Sequence, residues 1–175
     1  MQLVVKEKQQ KNIEFLPNTN LEVVLAGVGA KVEVQGIWQG KNDDRFEGNL
    51  KIVHCAPETV SKVNIRGVLF GKSQAAFDGL IRIEKGAVGA DGFLRADFLL
   101  FDQSKARPLP YLEILENQVK AGHAATVTRV DDDQIFYLQT RGISRQEAEK
   151  VIVEGFLKNP TSLKLRGAKE VHDGF

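Results

Sequence analysis

One pair of adjacent residues with metal-binding and redox chemistry lies in the first third of the chain. His54 and Cys55 are adjacent, and an imidazole and a thiol are both ligands for transition metals. Neighbouring residues of a strand face opposite sides, so the two side chains cannot readily hold one ion. The pair therefore predicts one buried and one exposed residue.

A glycine-rich segment from Gly67 to Ser73, with the sequence GVLFGKS, is similar to a phosphate-binding loop. It is one residue short of that motif, and a strand pattern follows it instead of the helix whose N-terminus would face the phosphate. We predict a turn between two strands.

Acidic residues offer two further candidates. The run Asp131-Asp132-Asp133 could bind a cation, but the spaced ligands of a calcium loop do not follow, and a helix cap is favoured. Asp97 and Asp102 could approach each other in a β scaffold, as glycosidic chemistry requires, although many such pairs occur in any chain. His123, in a short Gly/Ala stretch, is interpreted from its own neighbours as a surface or packing histidine.

Composition limits the class of protein. The 175 residues suit one domain with at most an appendage, and the net charge of +1 with 42% hydrophobic residues excludes intrinsic disorder and argues against nucleic-acid binding. One cysteine and three histidines leave no internal disulfide and few ligands for structural zinc, which suits a cytoplasmic protein. No signal peptide and no membrane-spanning run is expected.

Alternation of apolar and polar residues predicts strands through most of the chain. Gly, Asn, Asp and Pro separate them, which is typical of a β-sandwich, barrel or solenoid and does not distinguish these. The predicted strand segments are 21–26, 32–35, 48–53, 63–66, 80–83, 93–101, 112–115 and 126–130.

Helical signals begin after Val130. Asp131, with Gln134 three residues on, is expected to cap a helix that ends at Gly142, and Ser144 with Glu147 forms a capping box for a second helix. We predict a β core over residues 1–130, a helical region over 131–158 and a loosely ordered tail over 159–175.

The order of several motifs resembles the SufB/SufD family of iron-sulfur cluster assembly proteins. The resemblance extends from about Leu21 to Phe156, and its most specific part lies after His123. The motifs are HCAPET at 54–59, FDGLI at 77–81, PYLEI at 110–114, HAAT at 123–126, DQIFYL at 133–138 and RGI at 141–143.

This resemblance implies a fold. A mainly β chain is expected, with a right-handed parallel β-helix, a single-stranded solenoid, followed by a short C-terminal α-helical region. Stacked turns contact only their neighbours, so a shortened β-helix can still fold. Family members usually carry a longer N-terminal region, and the chain is interpreted as a shortened relative or a truncated copy.

The resemblance also implies a non-enzymatic scaffold. Such a subunit pairs with a SufB-like chain, or with itself, through the end of the β-helix and docks a SufC-type ABC ATPase through its helices. His123 matches a histidine at the pairing junction and is a possible iron ligand. Phe136, Tyr137, Arg141 and Phe156 are the expected ATPase-docking residues.

Departures from the family pattern indicate a SufD-like chain. Ser104 stands where SufB has a cysteine ligand, and Ala124 replaces the glutamate after the histidine. A hydroxyl is a poor substitute for the thiolate that iron-sulfur clusters need. Cys55 matches no family ligand. We expect no stably bound cofactor, and a transient cluster only in the complex.

Two alternatives stay open at this point. A β-helix enzyme acting on carbohydrate would need paired Asp or Glu on neighbouring turns. A homodimeric remnant of the family would keep the fold without the assembly role.

Overall fold

The computed structural model describes residues 1–158, which form ten β-strands followed by two α-helices. The chain divides into two compact units, Met1–Val130 and a second that begins at Asp131. The prediction for the tail concerns residues 159–175, which lie outside the described residues. The elements are β1 (Gln2–Val5), β2 (Gln10–Glu14), β3 (Thr19–Leu25), β4 (Lys31–Gly40), β5 (Arg45–His54), β6 (Val60–Leu69), β7 (Gln74–Ile83), β8 (Asp91–Leu100), β9 (Lys105–Ile114), β10 (Lys120–Arg129), α1 (Asp132–Thr140) and α2 (Arg145–Lys158).

The strands form two parallel sheets, in the orders β1-β3-β5-β7-β9 and β2-β4-β6-β8-β10. Successive strands alternate between the sheets, and each pairs in register with the second strand after it. Lys31 of β4 pairs with Val60 of β6, which pairs in turn with Asp91 of β8. The first unit is therefore a parallel β-solenoid, as the resemblance implied, and not a sandwich or a barrel.

The core lies between the two sheets and is built from rows of inward-facing residues. In β7, Ala75, Phe77, Gly79, Ile81 and Ile83 are buried, and they alternate with residues that are exposed or partly exposed. Because the pairs are parallel and in register, a buried residue on one strand lies beside a buried residue on the next. Val23, Ile52 and Ile81 form such a row across β3, β5 and β7, which ends at the partly buried Leu112 of β9.

One row mixes very large and very small residues. Trp38, Gly67 and Phe98 are register neighbours on β4, β6 and β8, and the two rings meet across the glycine with centroids 6.1 Å apart. A Cβ atom at Gly67 would lie 2.2 Å from Cδ1 of Phe98. Trp38 also donates from Nε1 to the carbonyl oxygen of buried Phe15 at 3.2 Å. This row therefore requires glycine at its centre.

The sequence prediction missed β1 and β2 entirely and covered only part of most longer strands. In β9 it began only at Leu112, because Pro108 and Pro110 interrupt the pattern. Proline is tolerated on an edge strand when its missing N–H would face away from the sheet. β2 is short, and its residues are mostly polar and exposed, so it carries little periodic signal.

The second unit contains both predicted helices. Asp131 is the N-cap of α1, although its side chain accepts from the Asp133 amide at 3.0 Å and a reciprocal bond from Gln134 is not seen. At α2, Ser144 Oγ accepts from the Glu147 amide at 3.3 Å and the Glu147 carboxylate accepts from the Ser144 amide at 3.0 Å, so the capping box is confirmed. Within residues 1–158, neither helix is long and apolar enough to cross a bilayer.

Candidate functional site

The inward rows end on β9 and β10, each of which pairs with a strand on one side only. His123 of β10 lies beside Leu94 of β8, and Val127 lies beside Phe98. Leu94 and Phe98 are fully buried, whereas His123 and Val127 are exposed. The sequence-predicted junction histidine therefore occupies a core position at the open C-terminal end of the solenoid.

His123 has small neighbours. Ala124 and Ala125 follow it, and the Cα of Gly122 comes close to the Phe93 ring, where an added Cβ would lie 3.2 Å from the nearest ring carbon. Among the described residues, no group of three or more His, Cys, Asp or Glu side chains is arranged to hold a metal ion. An iron atom at His123 would thus need further ligands from outside residues 1–158.

Ser104 is a buried corner residue. Its hydroxyl lies 2.9 Å from the carbonyl oxygen of Leu69 and 2.7 Å from that of Phe101, with no exposed surface. Ser73, one turn earlier, donates in the same way to the Phe70 carbonyl at 2.8 Å. Ser104 thus stabilises a corner of the solenoid through these hydrogen bonds. Its hydroxyl oxygen faces carbonyl groups and not the open end.

Arg129 closes the same corner and was not singled out by the sequence. Its guanidinium donates to the carbonyl oxygen of Ser104 at 2.8 Å and to that of Asp102. The Asp102 carboxylate accepts from the Gly71 amide at 2.8 Å. The only available signal was an arginine near the end of a predicted strand segment, 126–130, and it does not reveal these carbonyl partners.

The carboxylates of the strands do not form pairs. Asp97 lies 2.5 Å from Nε of Arg95 on its own strand, while Asp102 lies at a corner. In β1 to β10, no Asp or Glu is the register neighbour of another Asp or Glu. The strands therefore lack the acid pair on neighbouring turns that the carbohydrate-enzyme alternative required.

His54 and Cys55 point in opposite directions, as predicted. His54 is fully buried, and its two ring nitrogens lie 2.8 Å from the hydroxyl oxygens of Thr59 and Ser61. Burial lowers the pKa of His54 to about 4, so the ring is neutral near pH 7 and serves the core. Cys55 is exposed, and desolvation and the nearby Glu84 raise the pKa of its thiol, which disfavours the reactive thiolate.

The phosphate-loop candidate is a turn, as predicted. Gly67 lies within β6, the chain turns at Gly71 with φ of +66°, and β7 begins at Gln74. The Ser73 hydroxyl is already engaged by a backbone carbonyl. No helix follows to direct amides at a phosphate.

The helical unit presents an aromatic surface. Phe136 and Tyr137 of α1 are 65% and 58% exposed, which is unusual for large apolar side chains. The Arg141 guanidinium lies 5.4 Å from the centre of the Tyr137 ring and donates to its hydroxyl at 3.2 Å. Phe156 of α2 is partly buried. Three of the four predicted docking residues are therefore exposed on α1 and its C-cap, and two of them, Tyr137 and Arg141, contact each other.

Comparison with known proteins gives one family. Residues 15–156 match the model described as SUF system FeS cluster assembly, SufBD core domain. An iron-sulfur cluster assembly SufBD family protein of Mycobacterium bovis is 35% identical over 137 residues, and one of Staphylococcus aureus is 34% identical over 137 residues.

The relatives are much longer than this chain. The matched part is 78% of the chain and 16% of the Mycobacterium protein, and 77% of the chain and 29% of the Staphylococcus protein. The similarity therefore concerns the solenoid and the helices, and not the whole of either relative.

Proposed function

Since this chain belongs to the SufB/SufD family of iron-sulfur cluster assembly proteins, we propose that it is a structural subunit of a SUF-type assembly complex. The family match carries this proposal because it runs from Phe15 to Phe156 and so includes β3 to β10, α1 and most of α2. In this role the chain has no turnover of its own and provides surfaces on which other subunits meet. The proposal includes a cytoplasmic location.

The open end of the solenoid is the proposed junction with a SufB-like chain or a second copy. His123 would contribute one imidazole there to the iron of the cluster, which is the cargo of the complex. Because residues 1–158 hold no cluster of metal-ligating side chains, the remaining ligands would come from the partner. The isolated chain is expected to bind no cluster stably.

The SufD-like assignment is part of the same proposal. The Ser104 hydroxyl is buried against two carbonyl groups, so it is not available to a cluster. Cys55, the only cysteine of the sequence, directly follows β5, far in sequence from β10, and its thiol has a raised pKa. A partner with thiolate ligands would therefore have to hold most of the cluster.

The exposed surface of Phe136, Tyr137 and Arg141 is the proposed docking site for a SufC-type ABC ATPase. Exposed aromatic residues beside an arginine are the composition found at the centres of protein interfaces. Arg141 keeps the Tyr137 ring in place through its hydrogen bond and its position over the ring.

Charge reversal at this surface tests the proposed function. We expect Arg141→Glu to weaken binding of the same organism's SufC-type ATPase by about tenfold or more in calorimetry. Lys150→Glu, an equal change of charge at an exposed position of α2, is the matched control and should bind like the wild type. Circular dichroism checks that both variants keep their helices.

Two results would contradict the proposal. Equal affinity of Arg141→Glu and wild type would remove the aromatic surface as the docking site. A wild-type chain that binds no ATPase of this type would remove the assembly role itself.

A further inference from the structure

Three equivalent corners of the solenoid, at residues 41–44, 70–73 and 101–104, directly precede β5, β7 and β9. In each of them the amide of the last residue donates to the carbonyl of the first. The second residue has a positive φ each time, of +53° at Asn42, +66° at Gly71 and +51° at Asp102. The three corners therefore repeat one backbone conformation on successive turns.

In the first two corners, the carbonyl groups of the second and the last residue accept from backbone amides of the next turn. The same two bonds thus recur at each step of the coil. The donor and acceptor pairs are Lys72 to Asn42 at 2.7 Å, Gln74 to Asp44 at 2.8 Å, Gln103 to Gly71 at 3.0 Å and Lys105 to Ser73 at 3.0 Å.

The third corner receives both bonds from one side chain. Within residues 1–158, no strand follows β10, so no further turn supplies these amides. Instead, Nη1 of Arg129 donates to the carbonyl oxygen of Asp102, and Nη2 donates to that of Ser104 at 2.8 Å. A guanidinium holds several N–H groups in a fixed planar fork, so it can replace two amides at once.

Arg129 also differs from the other residues of its row. The row continues through Leu100 of β8, Leu69 of β6 and Gly40 of β4, and all three are buried, whereas Arg129 is exposed. A residue of this row that lay between two turns would be buried in the core, where an arginine would lose its hydration. An arginine in this row is therefore suited only to the last turn.

We infer that Arg129 is the cap that ends the solenoid. Its guanidinium replaces the two backbone amides of a further turn, and its charge opposes the stacking of another turn or chain on this corner. Inward-pointing charged residues are one of the ways in which proteins protect the ends of sheets. The inference does not depend on the proposed function. His123 lies nearer the start of β10, so the cap closes the corner and not the part of the strand that carries the histidine.

Thermal unfolding of the full chain tests the cap. We expect Arg129→Ala to lower the melting temperature by about 3–6 °C, because two corner carbonyls lose a charged donor. Arg129→Lys keeps a cation that can reach these carbonyls, so its melting temperature should lie between those of Arg129→Ala and the wild type. Arg107→Ala is the matched control, since this exposed guanidinium of β9 lies 3.7 Å from the Asp78 carboxylate and should contribute less than about 2 °C.

Hydrogen exchange locates the effect in the chain. In Arg129→Ala we expect the amides of Gln103 and Lys105 to exchange about fivefold faster or more, since the corner that holds them opens more often. The amides of Lys72 and Gln74, at the equivalent places one turn earlier, should keep their wild-type rates. Equal acceleration of both pairs would show a general loss of stability and would overturn the cap.

Light scattering tests the protection of the corner. Arg129→Leu restores the apolar pattern of the row and leaves the corner carbonyls open, so we expect a larger mass than that of the wild type at the same concentration. Arg129→Lys and Arg107→Leu should keep the wild-type mass. An Arg129→Leu chain with the wild-type mass, or an Arg129→Ala chain with the wild-type melting temperature, would overturn the inference.

Discussion

The two ends of the solenoid differ more in their edges than in their cores. At the N-terminal end, β1 and β2 have only four and five residues, yet Val5 at the end of β1 and Phe15 directly after β2 are almost fully buried. At the C-terminal end, strands of ten residues carry exposed residues in the rows that are buried one turn earlier. A long strand whose inward-facing residues are exposed offers a surface to a partner. A short strand beside buried residues covers the end of the core instead.

The largest difference in the free energy of unfolding is expected between two substitutions in one row of the solenoid. Phe98 on β8 is fully buried and Val127, its register neighbour on β10, is 45% exposed. We expect Phe98→Ala to lower the free energy of unfolding by about 3–5 kcal/mol, because it leaves a cavity beside Trp38. Val127→Ala should lower it by less than about 1 kcal/mol in the monomer. Urea unfolding measures both, and equal losses would show that the end row is covered in the single chain.

Buried His54 should make the stability of the chain depend on pH. The pKa of His54 is lowered to about 4, so the unfolded chain, with an ordinary value near 6.5, binds this proton first as the pH falls. The free energy of unfolding should therefore fall between about pH 6.5 and pH 4, by roughly 3 kcal/mol from this group.

A glutamine variant isolates this effect. His54→Gln should flatten the dependence of the free energy of unfolding on pH in that window, whatever its stability at pH 7. An unchanged slope in His54→Gln would mean that carboxylates such as Glu116, whose pKa is lowered by backbone amides, account for the loss in acid.

The smallest difference in the free energy of unfolding is expected between substitutions of the two corner serines. Ser73 and Ser104 are both fully buried and bonded to carbonyl groups. We expect Ser73→Ala and Ser104→Ala each to lower the free energy of unfolding by about 1–2 kcal/mol, because a buried hydroxyl bond to a carbonyl is lost and the carbonyl keeps only its backbone amide donor. Denaturant titration of both compares an inner corner with the last one. A Ser104→Ala protein as stable as the wild type would argue against a structural role at the end.

The central strands were predictable from the sequence because they alternate cleanly, whereas their arrangement as a solenoid came from the family resemblance, since alternation does not distinguish a solenoid from a sandwich or barrel. Val32 to Gln35 and Val63 to Arg66 lie within β4 and β6, although the strands are longer than the pattern. β9 was recognised only from Leu112 onward, because Pro108 and Pro110 hide a strand whose prolines face a free edge. The capping box at Ser144 was visible since its partners are three residues apart.

The site was less accessible to sequence reasoning. His123 entered through the family resemblance, and its own residues indicated only a surface or packing position. Its place at the end of a buried row depends on pairing with Leu94, which is distant in sequence. The hydroxyl partners of His54 could not be assigned in advance either, because periodicity identifies a face and not a hydrogen-bond partner.

The glycine between Trp38 and Phe98 also fixes the order in which the turns can stack. Backbones of neighbouring turns pair alike, so a duplicated or deleted turn would preserve every hydrogen-bond ladder. Removing the turn that contains Gly67, however, would place the indole directly beside the phenyl ring in one row, with no room for both. The turns of this solenoid have the same backbone pairing, yet they are not interchangeable. A turn can be added or removed only where the side chains that become neighbours in each row fit together in size.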